Sequence, residues 1–240
     1  MWNRAIFLIA LPLEIFAQTA RVPFVGCESL GQVALNAPKG NDYAVQAKES
    51  IVRKLSYYEA PVAPGVLAPR GWHCIGLNGS SGYTLYVTAD PMSGPQGEIT
   101  GPVVEVDFIT ADNGSGRYDI AQVLGRVFPG QRAFVQSVID GLGLPGTGGL
   151  TFRPFPKDKL IVQTDRVVQF QTPPHSEGLG TISWLQANDD PIDGVAIFEG
   201  PAPHLLPDLV LLRVRLPREL RYLAPVIIHD LLVRQRSDTR

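Results

Sequence analysis

The sequence is poor in what most common activities require. Charge is sparse and balanced: 21 Lys and Arg stand against 23 Asp and Glu in 240 residues, a formal net charge of −2. No global positive field exists to draw the chain to nucleic acid or to an anionic membrane, which argues against a DNA or RNA partner. Only two cysteines are present, and neither C-x-x-C nor a run of thiolate and imidazole at zinc spacing occurs, so the sequence predicts no metal and no cofactor. G-x-S-x-G, H-E-x-x-H and G-x-x-x-x-G-K-[ST] are all missing, which removes the main support for the common hydrolase, metalloprotease and NTPase assignments. Gly141, Gly143 and Gly146 spell G-x-G-x-x-G, yet a dinucleotide fingerprint follows a strand and this one follows a predicted helix.

Long apolar runs are also missing after the first twenty residues, so no transmembrane helix is expected in the rest of the chain. The start, "MWNRAIFLIALPLEIFAQTA", has Arg4 before an apolar run from Ala5 to Phe16, with small residues at Ala17 and Ala20. That is the layout of a secretory signal, predicted over 1–20, with cleavage after Ala17 or Ala20. Export places the rest of the chain in an oxidising compartment, periplasmic or extracellular. An even cysteine count then favours a Cys27–Cys74 disulfide, stabilising by about 4 kcal/mol on a chain-entropy argument. The competing reading makes Cys74 a thiolate activated by His73. Neighbouring residues on a strand point to opposite faces, a poor geometry for a nucleophile and its base.

Hydrophobic residues make up 45% of the chain, enough for a real core. After turn-rich residues 21–43, Ala47, Ile51, Leu55 and Tyr58 fall at helical spacing and predict a helix over 44–58. A hairpin is expected from Trp72 to Thr88 around "NGSSG". In "VVEVDFI", Val104, Val106 and Phe108 alternate with Glu105 and Asp107, predicting a strand with one face on the core and one in water. Apolar stripes over 120–127 and 134–139, split by Pro129, predict a helical hairpin. "GLGLPGTGG", 141–149, reads as a connector between sub-lobes 21–140 and 150–240 of one domain. Strands follow at 159–170, 181–185, 194–199 and 208–216, then a C-terminal helix that Pro225 kinks or restarts. Clustered rather than alternating elements predict an α+β fold with a mainly antiparallel sheet, the helical hairpin and C-terminal helix packed on it.

Candidate chemistry is thin. Glu105 and Asp107 share a strand face with Cα atoms roughly 6.5–7 Å apart, a separation at which carboxyl groups serve glycoside hydrolysis. Alternation already explains both as the wet side of the strand, and no flanking aromatic sugar platform is evident. His73, His175, His204 and His229 are scattered; His73 and His175 remain weak catalytic candidates beside the two carboxylates. Asp189, Asp190 and Asp193, or Asp112 and Asn113, supply oxygen atoms but fit turns better than calcium loops. Seven arginines at the C-terminus, Arg213, Arg215, Arg218, Arg221, Arg234, Arg236 and Arg240, read as a solvated basic face or as a patch for an acidic partner.

"GVLAPRGWHCIGLNGSSGYTLYV" from Gly65 to Val87, with "VPFVGC" upstream and "SEGLGT" and "RLP" downstream, resembles a group of exported bacterial proteins to which no activity is assigned. The resemblance spans most of the chain after the signal. It implies export and the Cys27–Cys74 pair, and it brings no catalytic residue. It also implies a structural role for the stretch: Trp72 in the core, Cys74 bridged, and Gly76, Gly79 and Gly82 shaping the hairpin. The expectation is an exported, disulfide-stapled protein that binds an envelope or extracellular partner, with a hydrolase of envelope or extracellular material as the alternative.

Overall fold

The computed structural model describes residues 19–92, 98–112, 114–141, 152–200 and 206–238. The predicted signal up to residue 18 and nearly all of the predicted connector lie outside them. The fold is α+β. Thirteen strands and four α-helices are present among the described residues.

The central sheet has eight strands. In chain order these are β3 (Ser29–Gly31), β7 (His73–Gly79), β8 (Gly82–Thr88), β9 (Val103–Ile109), β10 (Lys159–Gln163), β11 (Val167–Thr172), β12 (Ile192–Glu199) and β13 (Asp208–Arg215). They lie side by side as β10-β11-β12-β13-β9-β8-β7-β3. Every neighbouring pair is antiparallel except β3 with β7. The predicted hairpin is β7–β8, closing at Gly79↔Gly82. Gly82 has φ +139°, and a Cβ there would meet the Phe108 carbonyl oxygen at 2.0 Å, so only glycine lets β8 turn in this close to β9.

One face of the sheet carries the C-terminal helix α4 (Ala224–Asp238) and the small N-terminal sheets. Those are β1 (Thr19–Val22) with β4 (Tyr43–Gln46), and β2 (Phe24–Gly26) with β5 (Leu55–Glu59) and β6 (Val66–Pro69). Ile227 and Leu231 of α4 pack with Val195, Val210, Leu212, Val104 and Val106 of the sheet in one cluster. The opposite face carries α2 (Gly114–Val127) and α3 (Arg132–Gly141), the predicted helical hairpin, whose Ile120, Leu124 and Val135 meet Leu209, Leu211, Ala196 and Phe170. Pro225 falls at the second position of α4, where its missing N–H costs nothing, so it starts a helix after a 3₁₀ turn over Arg218–Leu223.

Several expectations are corrected. The helix predicted over 44–58 is instead β4, one helical turn α1 (Glu49–Val52), and β5. Leu55, Ser56, Tyr57 and Tyr58 are all buried because β5 is covered on both faces, so the period of two that marks a half-buried strand never shows in its sequence. The single strand expected at 159–170 is two, β10 and β11, paired antiparallel. Residues 181–185 form no strand; a 3₁₀ turn (Leu179–Thr181) leads into coil with one bridge, Ile99↔Leu185. The wet face predicted for β9 does not exist: Val103 to Asp107 are buried without interruption.

Cys27 and Cys74 are joined, with Cα atoms 5.5 Å apart and a sequence separation of 47. The bridge ties the coil that follows β2 to β7, linking the small sheets to the central one. Reducing it, or replacing both cysteines by Ala, is expected to lower unfolding stability by about 2–4 kcal/mol in urea titrations, with a lowered midpoint.

Candidate functional site

The sheet positions one polar cluster on the α2 side. Glu105 and Asp107 stand two apart on β9, hence on one face; strand pairing sets Tyr86 of β8 and Arg213 of β13 opposite Glu105, and Thr84 opposite Asp107. The Arg213 Nη1 lies 3.2 Å from Glu105 Oε1 and donates to Asp107 Oδ2 at 2.5 Å. Thr84 donates to the other Asp107 oxygen at 2.6 Å, and Ser183 to the other Glu105 oxygen at 3.1 Å. The guanidinium also donates through Nε to the Leu179 carbonyl and through Nη2 to the Ile182 carbonyl. Glu105 is 1% exposed and Arg213 is 2% exposed.

Burial dominates the electrostatics. It pushes the Glu105 carboxyl up to about 7; Arg213 opposes this and the Asp107 charge adds to it. For Arg213, burial works against the cation, but Glu105 and Asp107 outweigh it and the net shift is upward. Tyr86 is shifted up by burial first, then by the two carboxylates. Two carboxyls thus share one buried guanidinium, and burial with the neighbouring Asp107 makes Glu105 easier to protonate.

This cluster floors a cavity of about 690 Å³. Its walls include Asp119 and Gln122 of α2, Ser81 in the β7–β8 turn, and Ser183 and Trp184 from the coil after the 3₁₀ turn. Gly116 lets α2 sit this close: a Cβ there would meet the Thr110 carbonyl oxygen at 1.9 Å. Asp119 is shifted up by burial and by the Asp107 charge. Trp184 is 51% exposed. A second cavity, about 480 Å³, lies between β11, β12 and α4. Val167, Ile197, Phe198, Leu206 and Leu232 line it, with charged Arg166, Glu199 and Asp208, but no buried polar cluster floors it.

Of the residues singled out in sequence, the structure brings Glu105 and Asp107 together in a cavity wall and leaves His73, His175 and His229 out, while His204 lies outside the described residues. His73 is exposed at the start of β7 and does not line this cavity. His175 is exposed, with φ 51° and Nε2 2.8 Å from Asp189 Oδ1. The oxygen-rich turn is used internally: Asp190 pairs with Arg221, and Asp193 accepts from Gln171. Among the described residues no group of three or more His, Cys, Asp or Glu is placed to hold a metal ion. The solvated arginine face is corrected for its buried members, while the side chains of Arg236 and Arg240 lie outside the described residues. Arg213 and Arg215 are buried, Arg215 donating to the Ile99, Gly101 and Gln186 carbonyls, and Arg234 bonds Asp230 and the Gly65 carbonyl. Arg218 stays exposed.

Arg213, Tyr86, Asp119 and Trp184 escaped the sequence reading. An available signal for Arg213 was its place in "LVLLRVR", where a charge inside an otherwise apolar run marks a paired buried ion rather than a wet face. Trp184 is remote from Glu105 in sequence, and only the coil crossing the sheet brings them together.

Comparison of the chain with protein-family models, with curated proteins and with solved structures finds no match.

Arg213→Met leaves two buried carboxyls without their cation and two carbonyls without a donor. We expect a loss of about 3–5 kcal/mol in denaturant unfolding. A pH series isolates Glu105. Its folded pKa near 7 exceeds its ordinary 4.5, so between those values the folded chain binds the extra proton and stability falls as pH rises through the window. In Glu105→Gln, which cannot titrate there, the decline between about pH 4.5 and 7 is expected to be shallower than in the wild type.

Proposed function

We propose that the protein is exported and acts by binding a small polar ligand in the cavity above Glu105, Asp107 and Arg213. Support for export is the signal-like start together with the disulfide, which persists in oxidising compartments. Among the described residues no helix is long and apolar enough to cross a membrane.

The observation that carries the binding reading is the state of the cavity floor. Each carboxyl oxygen of Glu105 and Asp107 already has an internal partner. Such a floor is preorganised, so a ligand meets fixed dipoles and pays little to order them. Three carboxyl groups, Glu105, Asp107 and Asp119, line the cavity with one guanidinium, that of Arg213, which suits a neutral polyhydroxyl or a cationic ligand over an anion. Trp184 offers an aromatic face at the same cavity, the complement of a sugar ring or an organic cation.

The second reading, a hydrolase of envelope or extracellular glycans, draws on Glu105 and Asp107 sharing one wall and on the raised pKa of Glu105. Against it, the Arg213 guanidinium nitrogen occupies the space between the two carboxyls where a glycosidic bond would need to sit, and Glu105 is almost fully covered.

Screening the purified protein against neutral sugars, amino sugars and small organic cations by tryptophan fluorescence tests the proposal. A ligand is expected to change the emission, Trp184→Phe to remove most of that change, and Gln122→Ala or Asp119→Asn to weaken binding by about tenfold. Product formation from any glycan, lost in Glu105→Gln with the fold intact, would favour the hydrolase.

A further inference from the structure

The cavity above β9 has one stripe of α2 for a wall. Asp119, Gln122 and Val123 stand at i, i+3 and i+4 on that helix, and all three line the space. The charges around it do not balance. Among the described lining residues Arg213 is the one cation, set against the carboxyls of Glu105, Asp107 and Asp119. With every carboxyl ionised two negative charges are in excess, and with Glu105 protonated one still is.

Arg213 has little left to offer a ligand. It is 2% exposed; its Nη1 holds Glu105 and Asp107, while Nε and Nη2 reach the Leu179 and Ile182 carbonyls, so its fork of donors is almost wholly committed. Asp119 is in the opposite position. Among the described residues no Lys, Arg or His pairs with it. The Ser81 side chain hydrogen-bonds to it, and burial and the Asp107 charge both work against its ionised form.

A ligand that enters expels water from these carboxylates. A neutral one leaves the excess charge desolvated and an anion adds to it, whereas a cation offsets it. Ligand N–H groups also match the wall, because ionised carboxylate oxygens only accept. Trp184, half exposed at the same cavity, adds an aromatic face of the kind that favours a cation and its carbon skeleton.

We propose that the ligand of this cavity is a small organic ammonium ion, its N–H groups donating to Asp119 and Asp107 and its carbon skeleton lying against Trp184. The inference deepens the binding reading and rests on it, selecting the cation over the neutral polyhydroxyl.

The test is isothermal titration calorimetry of the purified, disulfide-bonded protein near neutral pH and at low ionic strength, where charge contributes most. Glucosamine, glucose, N-acetylglucosamine and glucuronate share a sugar ring and differ in charge; 1,4-diaminobutane carries ammonium without a ring. The tighter of the two amines is expected to bind at least about tenfold more strongly than glucose and N-acetylglucosamine, with glucuronate weakest. Whether that amine is the ring or the chain identifies the source of the ammonium, and either result supports the proposal. Asp119→Asn is expected to abolish the preference while leaving glucose affinity unchanged. Gln122→Glu, which adds a carboxylate on the same stripe of α2, is expected to widen the preference, and it decides the matter should Asp119→Asn fail to fold. Glucose binding as tightly as either amine, or glucuronate binding most tightly, would overturn the inference and spare the binding reading. Heat from none of the five probes, with the fold intact, would overturn both.

Discussion

The structure depends on two arginines buried in the middle of a sheet. Arg213 and Arg215 sit two apart on β13, on the face toward α2 and α3, and between them they donate to five backbone carbonyls: Leu179, Ile182, Ile99, Gly101 and Gln186. Those carbonyls belong to two irregular segments that close over the sheet where neither helix reaches. Buried coil is costly because its backbone has no ladder to join, and its polar groups must find partners elsewhere. A guanidinium, with five donors in a fixed fork, can serve several carbonyls at once. The coil therefore stays down, and its Ser183 and Trp184 come to face Glu105 and Asp107.

The charge on Arg213 requires compensation, and Glu105 and Asp107 provide it from the neighbouring strand. Removing one member would leave the others buried and unpaired, so the cluster is costly to break even where an apolar replacement of the whole would pack. The same arrangement shapes the cavity proposed to bind ligand. A carboxyl pinned under a guanidinium is a poor acid for a bulky substrate, but it gives a rigid polar floor. On the other face the disulfide and α4 hold the small sheets in place. Arg234 of α4 reaches the Gly65 carbonyl and Tyr57, while Tyr43 stacks on Tyr57 with ring centroids 4.0 Å apart. The two faces are thus secured by different means, a disulfide, stacked aromatics and an Arg234–Asp230 pair on one, the buried Arg213 cluster on the other.

Much of this was legible in the sequence where local pattern and tertiary environment agree. The hairpin around Gly79 and Gly82, the helical pair divided by Pro129, the restart at Pro225 and the Cys27–Cys74 bridge all follow from turn chemistry, periodicity or cysteine count. Failures occur where burial is two-sided. β5 carries no alternation because both its faces are covered, and its apolar spacing then mimics a helix. Glu105, Asp107, Arg213 and Arg215 do alternate with apolar neighbours, yet alternation alone does not separate a wet face from one covered by coil. The cavity was half visible: its two strand carboxylates stood out, while Arg213, Asp119 and Trp184 reach it through strand pairing and chain crossings that no local window contains.

The most direct measurement of the buried ionic floor is the titration of the Glu105 side-chain carboxyl carbon, followed by NMR and assigned by its loss in Glu105→Gln. A carboxyl closed under Arg213 and desolvated titrates with a midpoint near 7. A midpoint at the ordinary value of 4.5 would mean that Glu105 is solvated, that the coil does not seal the cluster, and that the preorganised cavity described above does not exist in solution.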